Sequence, residues 1–448
     1  MNCFVTTQQG RLKGMVNHGV LQFHGIPYAK APVGGLRFAM PQAPDPWEGD
    51  YDATFRHPAA PQETAGLAVG SPIREWDEDC LTLTVSTPAL EGRLPVAVWF
   101  HGGANVCGGG DLEQYDGASL ARAEQIVVVG VNFRLGALGF LWYPGVNETN
   151  LSVEDQLMAL RWVRDNIGRF GGDPERVTLF GQSSGANAIA HILSRPDSEG
   201  LFRQVLLESP PLGRGSHTEE EASAIGGAVL RALGMDLTDR EGLLEQVRAK
   251  PAEEILAAAG RVSAELQARY QGMLFKPVMD AWHTPEQTMA AAASEAARRH
   301  VRILLGFMKN EMHAFVLKRD PKTLENLDRL QKERYDDPGE SFALAASDGG
   351  CPVWKYRFDW QAPKSVFHAC HCLELSFVFG NANTWNTPML KGASREEMEH
   401  LRQTVQALWG QFFRFEDFDD AIWPRFTRQN QALKCIDNQT NPVIPAHD

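Results

Sequence analysis

Short runs of β-branched and aromatic residues, each closed by turn formers, recur at residues 96–100, 126–131, 177–180, 205–207, 303–305 and 353–358. Short runs of this kind, largely apolar at successive positions, predict buried strands, as in a mostly parallel sheet. Helical spacing appears between them: Leu157, Leu160, Trp162, Val163 and Ile167 fall mainly on one face of residues 155–170. Strand alternating with helix predicts an α/β fold, a central sheet layered by helices on both sides. Two polar, helix-like stretches, 219–271 and 318–348, interrupt the alternation. We expect a single catalytic domain over 1–448 with lid or cap insertions at about 210–275 and 315–350; solvated helices without a functional part are the alternative. The alanine-rich stretch 289–297 predicts one more helix.

The chain of 448 residues is 43% hydrophobic, enough for a large core and outside the composition of disordered chains. Acidic residues number 56 against 43 basic ones, a formal net charge of −13, which argues against a nucleic-acid partner or a polybasic membrane surface. No basic segment followed by an apolar run opens the chain, and no later stretch reaches bilayer length; a cytoplasmic protein without membrane contact is expected, as a monomer or weak homo-oligomer. The seven cysteines are scattered without CxxC spacing, so reduced thiols are expected. His368, Cys370, His371 and Cys372 cluster, but a separated second ligand pair is missing, and neither a metal nor an organic cofactor is expected.

The run 177–180 leads straight into Gly181-Gln-Ser183-Ser-Gly185 and then into an apolar helical stretch, 186–193. Strand, sharp turn and helix is the context in which GxSxG gains meaning. Glycines on either side of the serine let the backbone turn tightly and hold the hydroxyl clear above the sheet. Ser183 is the candidate nucleophile, against the plainer reading of a serine capping a helix.

Upstream, the run 96–100 is followed by His101-Gly-Gly-Ala-Asn105 and Cys107-Gly-Gly-Gly110. A nucleophile attacking a carbonyl puts negative charge on oxygen, and backbone N–H groups aimed at that point stabilise it without reorganising. Gly103 and Ala104 are the candidate donors, joined by the N–H of Ser184.

With these marks the sequence resembles the type B carboxylesterase family, which includes bacterial para-nitrobenzyl esterases and cholinesterases. The resemblance extends over nearly the whole chain. It is carried by Phe23-His-Gly-Ile-Pro-Tyr-Ala29, Pro32-Val-Gly34, Leu36-Arg-Phe38, Glu78-Asp-Cys-Leu81, the His101 loop, Val131-Asn-Phe-Arg-Leu-Gly-Ala-Leu-Gly-Phe-Leu141, Asp155-Gln156 and Phe170-Gly-Gly-Asp-Pro174. The family's acid follows a late strand in an Asp-Glu or Asn-Glu pair, so the resemblance implies Glu311 of Lys309-Asn-Glu311. Its histidine opens a His-x-x-Glu-Leu segment, which selects His371 over His368. The order Ser, acid, His is that of α/β hydrolases. Implied with it are two structural ion pairs, Arg37 with Glu78 and Arg134 with Asp155.

Five departures qualify the resemblance. Gln182 stands where the family commonly has Glu, which disfavours cationic substrates, and Ser184 where it has Ala. Ala104 replaces the third glycine of the loop, a form similar to esterases that accept bulky alcohols. Ala60 stands where secreted relatives carry the cysteine that pairs with the one in Glu-Asp-Cys-Leu. The segment from Glu311 to His371 is short for the family, which suggests a more open site.

The resemblance and the residues together imply a serine esterase acting on short-chain, aromatic or bulky-alcohol esters through an acyl-enzyme. A catalytically silent binding protein of the same fold, or an amidase, lactonase or acyltransferase using the same residues, are the alternatives. The silent relatives typically lose the serine or the histidine, and this chain has both.

Overall fold

The computed structural model describes residues 1–63, 75–238, 240–266, 269–270, 273–278, 285–316, 321–381, 384–385, 387–438 and 443–445. Its strands are β1 (Asn2–Thr6), β2 (Arg11–Asn17), β3 (Val20–Pro27), β4 (Asp50–Asp52), β5 (Thr82–Thr87), β6 (Leu94–Phe100), β7 (Val127–Val131), β8 (Gly172–Gln182), β9 (Gln204–Glu208), β10 (Arg302–Met308), β11 (Val353–Phe358), β12 (Ala432–Ile436) and β13 (Val443–Pro445). They form one sheet in the order β1-β2-β3-β5-β7-β6-β8-β9-β10-β11-β12-β13, with β4 beside β2. From β7 to β12 every neighbouring pair is parallel. The six runs read from the sequence are β6 to β11, the centre of that block.

Alternation along the central strands splits the core in two. Val96, Val98 and Phe100 face one layer, with the helices Leu151–Asn166, Ser184–Ser194 and Pro285–Arg298. Ala97 and Trp99 face the other, with Ala118–Glu124 and Arg395–Phe413. Both faces are therefore dry, as a parallel sheet requires. The long helix-like stretch 219–271 breaks into Glu219–Ala232, Leu243–Arg248 and Ala252–Leu266, with Gly234 and Pro251 in the gaps. The stretch 318–348 resolves into Pro321–Gln331, a π-turn Lys332–Asp336 and Asp337–Asp348.

Both ion pairs implied by the resemblance are present. Arg37 grips Glu78 through Nη2 at 2.5 Å and Nε at 3.1 Å. Arg134 holds Asp155 through Nη2 at 2.6 Å and Nε at 2.8 Å. None of the seven cysteines is joined in a disulfide. Among the described residues no helix is long and apolar enough to cross a membrane, and no group of three or more His, Cys, Asp or Glu is arranged to hold a metal ion.

Candidate active site

Strand order sets the site. β8, β9, β10 and β11 lie side by side and parallel, so the segments after them emerge on one edge. That edge is where α/β proteins bind ligands. β8 ends at Gln182, the helix starts at Ser184, and Ser183 between them has φ 56° and ψ −124°, a strained turn for a residue with a side chain. The turn is pinned from both directions: Ser183 N–H donates to Glu208 O at 2.9 Å, and Asn187 N–H to Ser183 O at 2.9 Å. Glycine is obligatory at 185, where a Cβ would overlap the carbonyl oxygen of Phe100, and a Cβ on Gly181 would press to 2.8 Å of the same atom.

The loop after β6 approaches the same point. A Cβ on Gly102 would stand 2.6 Å from Gln182 Oε1 and 3.1 Å from the Ser183 Cβ. Gly103, Ala104 and Asn105 all have positive φ (121°, 54° and 61°), so this backbone is held in an unusual shape. Two anchors hold it: Asn105 N–H donates to Ser184 Oγ at 3.3 Å, and Asn105 Nδ2 to Phe275 O at 3.0 Å. Val106 and Cys107 N–H turn back onto Gly103 O. The N–H groups of Gly103, Ala104 and Ser184 bond no acceptor among the described residues.

After β10, Glu311 opens a short 3-10 turn, and after β11 a loop returns His371 to it. His371 Nδ1 lies 2.5 Å from Glu311 Oε2, with the carboxylate fully buried and the imidazole 5% exposed. The other carboxylate oxygen, Oε1, accepts from Met308 N–H at 2.8 Å. Glu311 is thereby fixed at both ends. The rings of Phe315 and Tyr335 pack on the imidazole at 5.3 and 5.6 Å between centroids. His368 turns away instead, its Nδ1 2.8 Å from Gln361 Oε1.

No hydrogen bond joins Ser183 Oγ to His371 here. Nε2 of His371 is met at 3.1 Å by the amide nitrogen of Gln182, the residue before the serine. The serine, the histidine and the acid thus share one edge, with the histidine and the acid in contact and a glutamine between histidine and serine. Sequence reasoning placed Gln182 as a departure in charge and missed this contact; its position next to Ser183 was the only signal.

A second feature escaped the sequence reading. Beneath the turn, Glu208 and Glu374 are both fully buried. Burial pushes the Glu208 carboxyl up to about 8 against a hydrogen bond from Trp409 Nε1 at 2.8 Å. Burial, then the neighbouring Glu208 and Glu311, lift Glu374 well above the carboxylate range. Both of its oxygens, with Tyr356 Oη and Glu208 Oε2, lack partners among the described residues. Carboxyls in such surroundings hold protons at neutral pH.

Residues 2–337 match the sequence profile described as the Carboxylesterase family. Along 97% of its length the chain is 34% identical to para-nitrobenzyl esterase of Bacillus subtilis (strain 168), covering 95% of that protein. It is 36% identical to a probable N-octanoylanthranilate hydrolase of Rhodococcus erythropolis, covering 97% of this chain and 98% of that one. Among solved structures, a thermophilic PNB esterase superimposes with a TM-score of 0.88 at 32% identity, covering 99% of this chain and 97% of the other.

Proposed function

Because the chain belongs to the carboxylesterase family and hydrolyses small-molecule carboxylic esters, we propose that Ser183 is its nucleophile, His371 its general base and Glu311 the acid that orients the imidazole. The observation that carries this assignment is the 2.5 Å contact between His371 Nδ1 and Glu311 Oε2. It fixes the tautomer with the proton on Nδ1 and the lone pair on Nε2, the side from which Gln182 and the serine turn approach.

In the first half-reaction His371 Nε2 takes the hydroxyl proton as Ser183 Oγ attacks the ester carbonyl. Rotation of the hydroxyl about the Cα–Cβ bond, with displacement of the Gln182 amide, brings Oγ to that nitrogen. The N–H groups of Gly103, Ala104 and Ser184 receive the oxyanion. Their lack of acceptors among the described residues supports this role, since donors already satisfied would gain nothing from the developing charge. The imidazolium, steadied by Glu311, then protonates the departing alcohol, and water repeats the sequence on the acyl-enzyme.

The substrates we infer are esters of short or aromatic acids, including those of bulky alcohols. We read the helices within 210–275 and 315–350 as cap elements over the site, and seven cysteines without a disulfide between them support a reducing, cytoplasmic setting. The relatives bear hydrolase names, which does not favour a silent binding protein. A fluorophosphonate probe should label Ser183, and Ser183→Ala should lose both labelling and turnover of a 4-nitrophenyl ester while staying folded. Labelling at another residue, or full turnover by the variant, removes the assignment.

A further inference from the structure

Three cationic side chains meet on one wall of this site and have no part in the scheme above. Arg214 ends the 3-10 turn Leu212–Arg214 that follows β9, the strand next to the nucleophile strand. Lys276 Nζ donates to Arg214 O at 2.8 Å. Arg334 lies in the π-turn Lys332–Asp336, whose backbone runs so close that a Cβ on Gly213 would stand 3.0 Å from the Arg334 Cα.

The cluster borders the reacting groups on two sides. Tyr335, next to Arg334, packs on His371 at 5.6 Å. Phe275, next to Lys276, accepts from Asn105 of the loop after β6 at 3.0 Å.

Nearby acids are engaged elsewhere: Glu333 pairs with Arg329 at 2.6 Å, and Glu221 accepts from Thr218 N–H at 3.1 Å beside His217. Among the described residues no carboxylate comes within ion-pair reach of Lys276 or Arg334, and Arg334 Nε is buried without a partner. Burial and then the charge of Arg334 lower Arg214 to about 10. Burial lowers Lys276 to about 8, with Arg214 adding to it against the pull of Glu221. Both stay largely cationic at neutral pH. A chain of net charge −13 thus packs mutually repelling, half-buried cations beside its nucleophile, an arrangement that an anion would relieve.

We propose that Arg214, Lys276 and Arg334 form a subsite for a carboxylate carried by the substrate, so that the preferred esters bear a second, ionised carboxyl group. This rests on the esterase reading of the same site. The test compares two matched pairs of esters: mono-4-nitrophenyl glutarate against 4-nitrophenyl butyrate, and 4-carboxyphenyl butyrate against phenyl butyrate. In at least one pair kcat/KM should favour the anionic ester, the preference should shrink as salt rises, and Lys276→Gln or Arg334→Gln should cut the anionic-to-neutral ratio by about tenfold. Salt dependence on the unaltered enzyme keeps the test decisive if a variant fails to fold. Preference for the neutral ester in both pairs, unchanged by salt, overturns the subsite. Hydrolysis of the neutral esters with labelling at Ser183 would leave the esterase reading standing in that event.

Discussion

The side-chain amide nitrogen of Gln182 lies 3.1 Å from Nε2 of His371, the nitrogen that takes the proton of Ser183 in the proposed scheme. An amide N–H there is a neutral donor to the imidazole lone pair. Replacing it with a carboxylate would favour the imidazolium, while the base must be neutral to act. Gln182→Glu should therefore move the acid limb of the kcat/KM profile to higher pH, by about one unit, and depress activity at pH 6 more than at pH 8. A pH–rate profile on a neutral ester measures this. A limb that stays in place or moves to lower pH would show that the contact does not persist in the working enzyme.

Glu311 is held by Met308 N–H on one oxygen and by His371 on the other. Glu311→Gln keeps the shape but presents an amide that can favour the wrong tautomer. We expect kcat to fall by about a thousandfold or more, with the thermal midpoint within a few degrees of the parent. Loss of less than tenfold would move the acid role to another carboxyl.

What the sequence made legible follows from which signals are local. The strands β6 to β10 announce themselves because their central residues are apolar on both faces, and β11 through its run of large apolar residues despite Lys355 and Arg357 on one face. β2 does not, since Arg11, Lys13 and Asn17 leave it half-exposed and without a hydrophobic run. The Ser183 turn and the segments of Glu311 and His371 were legible as motifs. The Gln182 contact was not, because it depends on how the loop after β11 returns to the end of β8. Glu374 was visible in the motif that starts at His371, but its burial beside Glu208 and Tyr356, both distant from it along the chain, follows from tertiary packing. The π-turn Lys332–Asp336 sits inside a charged, helix-like stretch, and nothing in its spacing separates it from the helices on either side.

Ala104 holds a left-handed backbone at φ 54° in the loop that faces Ser183. If this loop leaves room for a branched alcohol, the enzyme should release tert-butanol from tert-butyl acetate at a rate measurable against n-butyl acetate. Gas chromatography of the released alcohols gives the ratio. Turnover of the primary ester with none of the tertiary one would remove bulky-alcohol esters from the substrate range.

Glu208 links stability to pH. Its carboxyl is raised to about 8 in the fold, above the value of about 4.3 expected in the unfolded chain. Folding therefore favours the protonated form, and this contribution is complete below about pH 4.3 and declines as pH rises toward 8. Glu208→Gln keeps an oxygen for Trp409 and removes the titration. The variant should lose less thermal stability than the parent between pH 6 and pH 9, with midpoints diverging by several degrees at the alkaline end. Parallel curves would mean that Glu208 is ionised in the folded protein at neutral pH.

Arg134 and Asp155 form a pair whose two halves are not equivalent. Their side chains are 3% and 0% exposed, and Asp155 also accepts from the Arg134 N–H at 3.1 Å. A guanidinium cannot shed its charge inside a protein, whereas a carboxyl can. Burial already raises the Asp155 carboxyl against the opposing pull of Arg134. Asp155→Ala therefore strands a charge and a backbone N–H together, and should cost about 3–5 kcal/mol. Arg134→Met strands a carboxyl that can take a proton, so it should cost less, and the variant should be more stable at pH 5 than at pH 8. The combination Arg134→Met with Asp155→Leu removes both charges and should recover much of the loss, because two apolar groups need no compensation there. Urea unfolding of the three variants at the two pH values separates these cases. Equal losses in both single variants at both pH values would mean that packing, and not the uncompensated charge, sets the cost.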